Sequence, residues 1–381
     1  MALTTLPTAA FATGSVGTSQ LADGAVTTEK MKADVNFRNI IINGDMSLAQ
    51  RGTSVSSITS SGYRTMDRWN FATDLGTWTM SQETDVPTGQ GFAKSLKLDC
   101  TTADAAPTAN KFLVLEQKLE GQMLQYLKKG TANAESLTMS FWVKSNKTGT
   151  YICEVLDTDN SRQISKAYTI DSANTWEKKT LTFAGDTTGS FTNDNGESLR
   201  IDFWLGAGST FSGGTLNTSW ASTVNANRVA GSVNLADNTA NEWYITGVQL
   251  EVGTSASDFE FLPYDVNLQR CQRYYYKQAD ASGGTNQIIC VGCYETSSVI
   301  FGVIDFPVTM RTGPSNVSAS GTNYYNFLRN GSDDNFDSLS NALGSPKTAG
   351  FFSAQGSGTA GDAGSIRTNN INAYVAFDAE L

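Results

Sequence analysis

Two tryptophans stand on strand-like runs, each opposite an aliphatic set. In Leu137–Lys144, the residues Leu137, Met139, Phe141 and Val143 alternate with Thr138, Ser140, Trp142 and Lys144, the two-residue period of a half-buried strand. Leu199–Leu205 repeats the arrangement, with Leu199, Ile201, Phe203 and Leu205 on one side and Arg200, Asp202 and Trp204 on the other. If the aliphatics face a core, both indoles face outward or into a concave groove. An aromatic face there suits stacking on the C–H surface of a sugar ring, with Lys144, Arg200 and Asp202 placed to bind hydroxyls. The competing arrangements put the core on the tryptophan side, or cover the indoles with loops or a neighbouring subunit.

Other residues with chemical potential point to ordinary structural roles. The chain has no histidine, which removes the commonest general base and the commonest transition-metal ligand. Cys290-Val291-Gly292-Cys293 is a lone CxxC on a strand-like run, where residues three apart point to opposite faces; burial is the expected role. With Cys100, Cys153 and Cys271 it makes five cysteines, too few and too scattered for a disulfide framework. Gly356–Gly361 fits GxGxxG formally, but no strand–helix unit surrounds it, so it reads as a loop. The carboxylates in Asp157–Asn160 and Asp333–Asp337 read as turns, with weak calcium binding as the alternative, because a complete EF-hand pattern is missing. No cofactor is expected.

The elements that must position these residues are expected to be all-β. Glycine (35 residues), serine, threonine and asparagine abound while charged residues make up 17%, a balance typical of β-sandwiches and fibrous β-assemblies. Leu137 to Phe183 reads as a meander of about four strands, opening with an antiparallel hairpin across Ser145–Gly149. A sheet with one apolar face calls for a second sheet as cover. Further strands are expected at Asn36–Asp45, Asp67–Phe71, Trp78–Met80, Lys94–Cys100, Phe112–Leu119, Leu199–Leu205 and Glu242–Glu251, with Gly247 a bulge. Gly121–Gly130 reads as one or two helical turns. The polar excursion Gly206–Asn241 is long enough to suggest a functional or partner-contacting loop.

Three regions follow. Residues 1–35 form an extended N-terminal segment with a period-ten repeat, matching Gly14 with Gly24, Val16 with Val26 and Leu21 with Met31. It holds too few apolar positions to bury a core alone, so copies of itself or another protein must order it, unless it is a disordered tail. Residues 36–265 form the central sandwich and 266–381 a smaller C-terminal one, with strands at Gln287–Tyr294, Val299–Val308 and Ala373–Phe377 among Gly/Ser/Asn-rich loops. Net charge is −10 with a pI near 4.6 and no basic run, so neither nucleic acid nor an anionic membrane is an expected partner. No stretch of 18 apolar residues and no leader-like N-terminus is seen, which predicts no membrane insertion and a soluble chain.

Several motifs resemble those of bacteriophage tail-fibre and related host-recognition proteins: NIIINGDMSLAQRG (39–52), YRTMDRWNF (63–71), LTMSFWVKSNKTGTY (137–151), YITGVQLEVG (244–253), LQRCQRYYYK (268–277), FPVTMRTGP (306–314) and the terminal AYVAFDAEL. Together they span most of residues 36–381. The resemblance implies a virion protein made in the host cytoplasm, with a jelly-roll central domain similar to carbohydrate-binding modules, a C-terminal β-sandwich tip and homotrimeric assembly. It also implies attachment to phage tail or adaptor proteins through residues 1–35, and a host-surface polysaccharide or protein receptor. Modules of this shape often hold a structural calcium between the first and last strands. Here Asp45 is available on one side, but Thr246 and Gly247 stand where a carboxylate is expected.

The expected role is a non-catalytic trimeric tail fibre that recognises host glycans. A capsid-attached head fibre or decoration protein shares the same modules, and a glycan-depolymerising tailspike using paired carboxylates is the enzymatic alternative. For receptor contact, the Gly-, Ser-, Asn- and Tyr-rich stretch Asn323–Phe336, with Tyr324 and Tyr325, is expected to serve as tip loops. Trp142 and Trp204 offer the rival site.

Overall fold

Leu137, Met139, Phe141 and Val143 all turn inward and are buried, as a two-residue period requires of a strand with one solvated face. The computed structural model describes residues 37–381; the repeat and attachment segment 1–35 lies outside the described residues. The first part of the chain contains β1 (Ser54–Ile58), β2 (Gly62–Tyr63), β3 (Asn70–Thr73), β4 (Thr77–Glu83), β5 (Ser95–Thr102), β6 (Phe112–Glu120), β7 (Leu137–Ser145), β8 (Gly149–Asp157), β9 (Arg162–Ile170), β10 (Glu177–Phe183), β11 (Glu197–Ala207), β12 (Ala221–Ser222) and β13 (Glu242–Val252). These make a six-stranded sheet, β1-β4-β5-β13-β7-β10, packed on a seven-stranded sheet, β12-β9-β8-β11-β6-β3-β2. The protein is all-β, and this part is a jelly-roll sandwich. Its core runs between the sheets and includes Trp69, Trp78, Trp243, Phe141 and Phe203.

The expected hairpin between β7 and β8 is not formed, because the two strands lie in different sheets. The short Asn146–Thr148 link is a corner over the edge of the core. The antiparallel ladder that pairs β8 with β9, as far as Gly149 opposite Ile170, resumes past the corner as β7 with β10, Val143 opposite Glu177. A long hairpin is thus folded across the sandwich, and both of its arms bury an aliphatic face. The expected strand at Asn36–Asp45 is likewise absent from residue 37 onward. Ile40, Ile41 and Ile42 are buried, but the segment meets β13 through isolated backbone bonds, Ile40 N–H to Leu250 O and Val248 N–H to Gly44 O at 2.9 Å each, and does not form a continuous ladder. Side-chain amides supply the rest: Ile42 N–H donates to Gln117 Oε1 at 2.8 Å, Gln117 Nε2 donates back to Ile42 O at 3.0 Å, and Ile41 N–H donates to Asn39 Oδ1 at 3.0 Å. That satisfies buried backbone groups without sheet pairing. The bulge at Gly247 is present: the β13–β7 register shifts between Thr246 and Gln249, and Gly247 has φ +62°.

Between β11 and β13 the polar excursion holds α1 (Ser209–Ser212) and folds back onto the seven-stranded sheet. Past β13, helix α2 (Tyr264–Gln272) leads into β14 (Tyr275–Asp280), β15 (Ile288–Tyr294), β16 (Ile300–Asp305), β17 (Ser315–Asn316), β18 (Tyr325–Arg329), β19 (Ser332–Phe336), β20 (Ser340–Gly344), β21 (Thr348–Ser353), β22 (Ala363–Thr368) and β23 (Tyr374–Asp378). A three-stranded sheet, β14-β23-β17, covers one face of a seven-stranded sheet, β19-β18-β22-β15-β16-β21-β20. A second core, with Tyr294, Phe327, Phe351, Ile366 and Phe377, lies between them. The expected loop Asn323–Phe336 is mostly the β18–β19 hairpin, turning at Asn330 and Gly331 with φ +48° and +76°. Its Asn-Gly pair supplies the two positive φ angles that a tight hairpin turn needs. The carboxylates at Asp333 and Asp334 therefore sit on a strand.

Candidate functional site

The outward face of the six-stranded sheet carries aromatic and charged side chains in cross-strand rows. Lys97 on β5 is opposite Tyr244 on β13, and Tyr244 is opposite Lys144 on β7. Trp176, just before β10, closes this row with its ring 6.2 Å from that of Tyr244 at 70°. Lys144 is already engaged. Its ammonium lies 4.1 Å from the Tyr244 ring centroid and 5.6 Å from that of Trp176, and it is paired with Asp85. Asp85 also accepts from Trp176 Nε1 at 2.9 Å. Partial burial works against the Asp85 charge, but the donors from Lys144 and Trp176 outweigh it and hold the carboxyl below its ordinary range. Lys144 therefore fixes the aromatic row, its ammonium held by Asp85 and the two rings instead of standing free for a sugar hydroxyl.

The next row holds the opening. Trp142 faces Lys178 on β10 and Thr246 on β13, and with Ser140 it lines a cleft of about 250 Å³. One wall is apolar: Phe92, Phe259 and Phe261 pack with centroids 4.9 to 5.1 Å apart. Gln90, Asp258 and Lys178 complete the lining. The local sequence explains the wall. After β13 the chain folds back on the sheet, anchored where Gln249 Oε1 accepts from Glu260 N–H at 2.8 Å and Glu251 accepts from Ser257 N–H at 2.7 Å. Gly247 makes room, since a Cβ there would stand 2.5 Å from Phe92 Cζ. An indole, a phenylalanine wall and a few convergent polar groups suit a ring with apolar and hydroxylated edges.

Trp204 is not outward in the sense expected of it. It is 2% exposed and belongs to a satellite cluster with Val114, Ile152 and Val229, built where the excursion covers the seven-stranded sheet. Phe211 packs on the indole at 5.5 Å and Arg228 lies over it at 4.9 Å, while Nε1 donates to Glu154 Oε2 at 2.8 Å. Arg228 also bonds Asp202 Oδ2 at 3.1 Å, and Arg200 meets Asp202 at 2.9 Å and Glu116 at 3.5 Å. Burial raises Glu154 and Glu116 above the ordinary carboxylate value, with Arg228 opposing it at Glu154 and Arg200 opposing it, against the Asp202 charge, at Glu116. Asp202 and Arg200 thus serve a closed charge network, and Trp204 has no face left for a ligand.

The C-terminal pair separates as well. Tyr325 is fully buried, its ring stacked on Phe336 at 5.7 Å and its single O–H shared between Ala319 O and Tyr374 O at 2.6 and 2.8 Å. Tyr324 is half-buried at the surface of the same core. Of the sequence candidates, then, Trp142, Tyr324 and Arg200 keep accessible area, and Arg200 is committed to Asp202 and Glu116. Phe92, Phe259, Phe261, Lys178, Trp176 and Tyr244 were missed; the aromatic doublet in Phe259-Glu260-Phe261 is the signal that could have drawn attention to the wall.

The surroundings of Asp45 do not fit calcium. Its Oδ1 accepts from Ser47 Oγ at 3.0 Å and Asn267 Nδ2 at 3.3 Å, while Thr246 Oγ1 donates to Lys94 O at 2.7 Å. Arg270 lines the same small pocket. Glu260, the other carboxylate lining this pocket, accepts from Asn39 N–H at 2.9 Å, and among the described residues no group of three or more His, Cys, Asp or Glu side chains gathers the oxygens a divalent ion needs. Cys290 and Cys293 are half-buried on opposite faces of β15 and do not pair, and Cys100, Cys153 and Cys271 are buried thiols.

No protein-family model matches the sequence, and no curated protein does. Among solved structures, the chain is similar to the enzymatically active domain of tailspike protein 4 of bacteriophage CBA120, at 16% identity and a TM-score of 0.31, over 57% of this chain and 22% of that one. It therefore spans about a fifth of the tailspike chain. A protein of Bacteroides thetaiotaomicron named as a putative sugar-binding protein matches at 13% identity and a TM-score of 0.33, over 56% of this chain and 100% of that one. TmCBM61 in complex with β-1,4-galactotriose matches at 10% identity and a TM-score of 0.29, over 57% and 99%.

Proposed function

We propose that this chain is a non-catalytic, glycan-binding component of a bacteriophage virion, a homotrimeric tail fibre that binds host-surface polysaccharide in the cleft at Trp142. The cleft carries the glycan reading: it is the place where an accessible indole, an apolar wall and unengaged polar groups converge. The virion role draws on the motif resemblance, with attachment to the tail through residues 1–35. The absence of catalysis is supported by the lining, which offers one carboxylate, Asp258, where glycoside hydrolysis uses a pair. The carboxylates Glu116, Asp202 and Glu154 are locked against arginines beneath the excursion.

The test uses the full chain against a panel of purified bacterial capsular polysaccharides and lipopolysaccharides, followed by calorimetry on any binder. Trp142→Ala is expected to weaken binding about tenfold or more, roughly the 1.4 kcal/mol of a lost stacking contact, while Tyr324→Ala leaves it unchanged. The reverse pattern would move recognition to the C-terminal sandwich. Cleavage of a bound polysaccharide by the wild type would overturn the non-catalytic part.

A further inference from the structure

The larger sheet of the C-terminal sandwich is covered on one face alone. Its inner positions, among them Tyr294, Ile300, Ile304 and Ile366, are buried under the three-stranded sheet. The outward positions of the same strands are apolar too. Cys293 on β15 is opposite Phe301 on β16, which is opposite Phe352 on β21. One row along, Leu328 on β18 is opposite Ser365 on β22, which is opposite Val291 on β15. Val291 is 76% exposed, Ile288 61% and Val303 49%, and nothing among the described residues covers them. An antiparallel sheet with one solvated face ordinarily alternates apolar with polar residues, whereas β15 and β16 are apolar on both sides, the pattern of strands buried twice. The contacts with the jelly roll leave this face free, since they come from α2 and the residues that follow it, the start of β14, Arg311, and the end of β23 with the segment after it.

Charge identifies the occupant. At one end of the strip Arg367 on β22 lies opposite Ile288, and Asp305 ends β16 opposite Thr348. They flank β15 on either side, about 10 Å apart at two strand spacings. Neither has an ion pair among the described residues; Arg367 Nε donates to Ser365 Oγ at 2.8 Å, and Asp305 is exposed. A neutral apolar strip with a cation at one margin and an anion at the other is complementary to itself. A rotation axis parallel to the strands brings the Arg367 margin of one copy against the Asp305 margin of the next at the same height. We propose that this face is the contact between copies of this chain. It names where the copies of the proposed trimer touch, and it stands apart from the glycan reading, because its test measures mass and not binding.

Sedimentation of the full chain, with residues 1–36 present, is expected to give an oligomer at micromolar concentration. Asp305→Arg and Arg367→Asp should each weaken association tenfold or more, by setting like charges against one another. The double variant Asp305→Arg/Arg367→Asp should restore it. Melting curves followed by circular dichroism confirm that each variant is folded, and Asp305→Asn, which is milder, should weaken association less. A monomeric wild type, as would follow if residues 1–36 of the same chain covered the strip, overturns the proposal. So do single variants that associate as tightly as wild type, or a double variant that fails to recover.

Discussion

Asp67 shows how much one buried group depends on its immediate donors. It is fully buried beside Arg51, with Gln50 N–H donating to Oδ1 at 3.0 Å and Gln50 Nε2 to Oδ2 at 2.6 Å. Burial nonetheless dominates and pushes its carboxyl up to about 6 from the ordinary 3.8. The folded state thus holds this proton more tightly than the unfolded chain does. The group costs nothing below about pH 4, and as pH rises toward 6 the unfolded chain gains an ionised carboxylate that the fold still holds protonated, so stability falls. Denaturant midpoints measured from pH 4 to 7 should therefore show the wild type losing on the order of 2 kcal/mol relative to Asp67→Asn across that window. Parallel profiles would mean that Asp67 titrates normally. The same dependence on surroundings separates Trp142 from Trp204. Their strands alternate alike in sequence, and only what folds over each outer face decides that one indole lines a cleft and the other is sealed.

The strands with strict alternation were legible because burial of one face is a local property, and β5, β6, β7, β11 and β13 fall where the period puts them. Pairing was less legible, because a three-residue link looks the same whether it turns a hairpin or rounds a corner between sheets, and the second outcome holds at Asn146–Thr148. Strands β18, β19, β21 and β22 are hidden in the sequence, since Gly, Ser, Asn and Asp there mask a period carried by Tyr325, Phe327, Phe351 and Ile366. The excursion after β11 has the length of a functional loop and a structural job. Arg228 reaches from it to Glu154 at 2.8 Å and Asp202 at 3.1 Å, both fully buried. Removing one partner of such a set leaves carboxylates buried without compensation. Arg228→Ala should cost about 3 kcal/mol in chemical denaturation and expose Trp204, seen as a red shift and increased quenching of its fluorescence. An unchanged midpoint would show that the excursion is held by its apolar contacts instead.

At the scale of the molecule, two sandwiches with separate cores are joined by arginines. Arg68, fully buried in the jelly roll, pairs with Glu380, whose side chain is 4% exposed, and lies 3.4 Å from the Tyr274 ring centroid. Arg51 adds bonds to Asp378 at 3.0 Å and Glu380 at 3.3 Å, and Arg273 grips Glu120 with two bonds of 2.7 Å. Ile42, Leu48, Cys271 and Tyr274 fill the apolar part of the junction. Domains meeting through a small polar interface ordinarily move and melt independently, but here separation would expose an apolar cluster and strand buried charges. The two sandwiches should therefore unfold in one calorimetric transition. Glu380→Leu leaves Arg68 buried without its carboxylate, a loss of about 3 to 5 kcal/mol, and should split that transition in two, with the C-terminal sandwich melting first. Replacing both partners, Arg68→Leu with Glu380→Leu, removes the stranded charge and should bring the two transitions back together, because an apolar pair at this position costs far less than a half-broken ionic one. If the single variant still melts in one step, Arg51 and Arg273 carry the coupling, and the buried Arg68 pair serves the jelly roll alone.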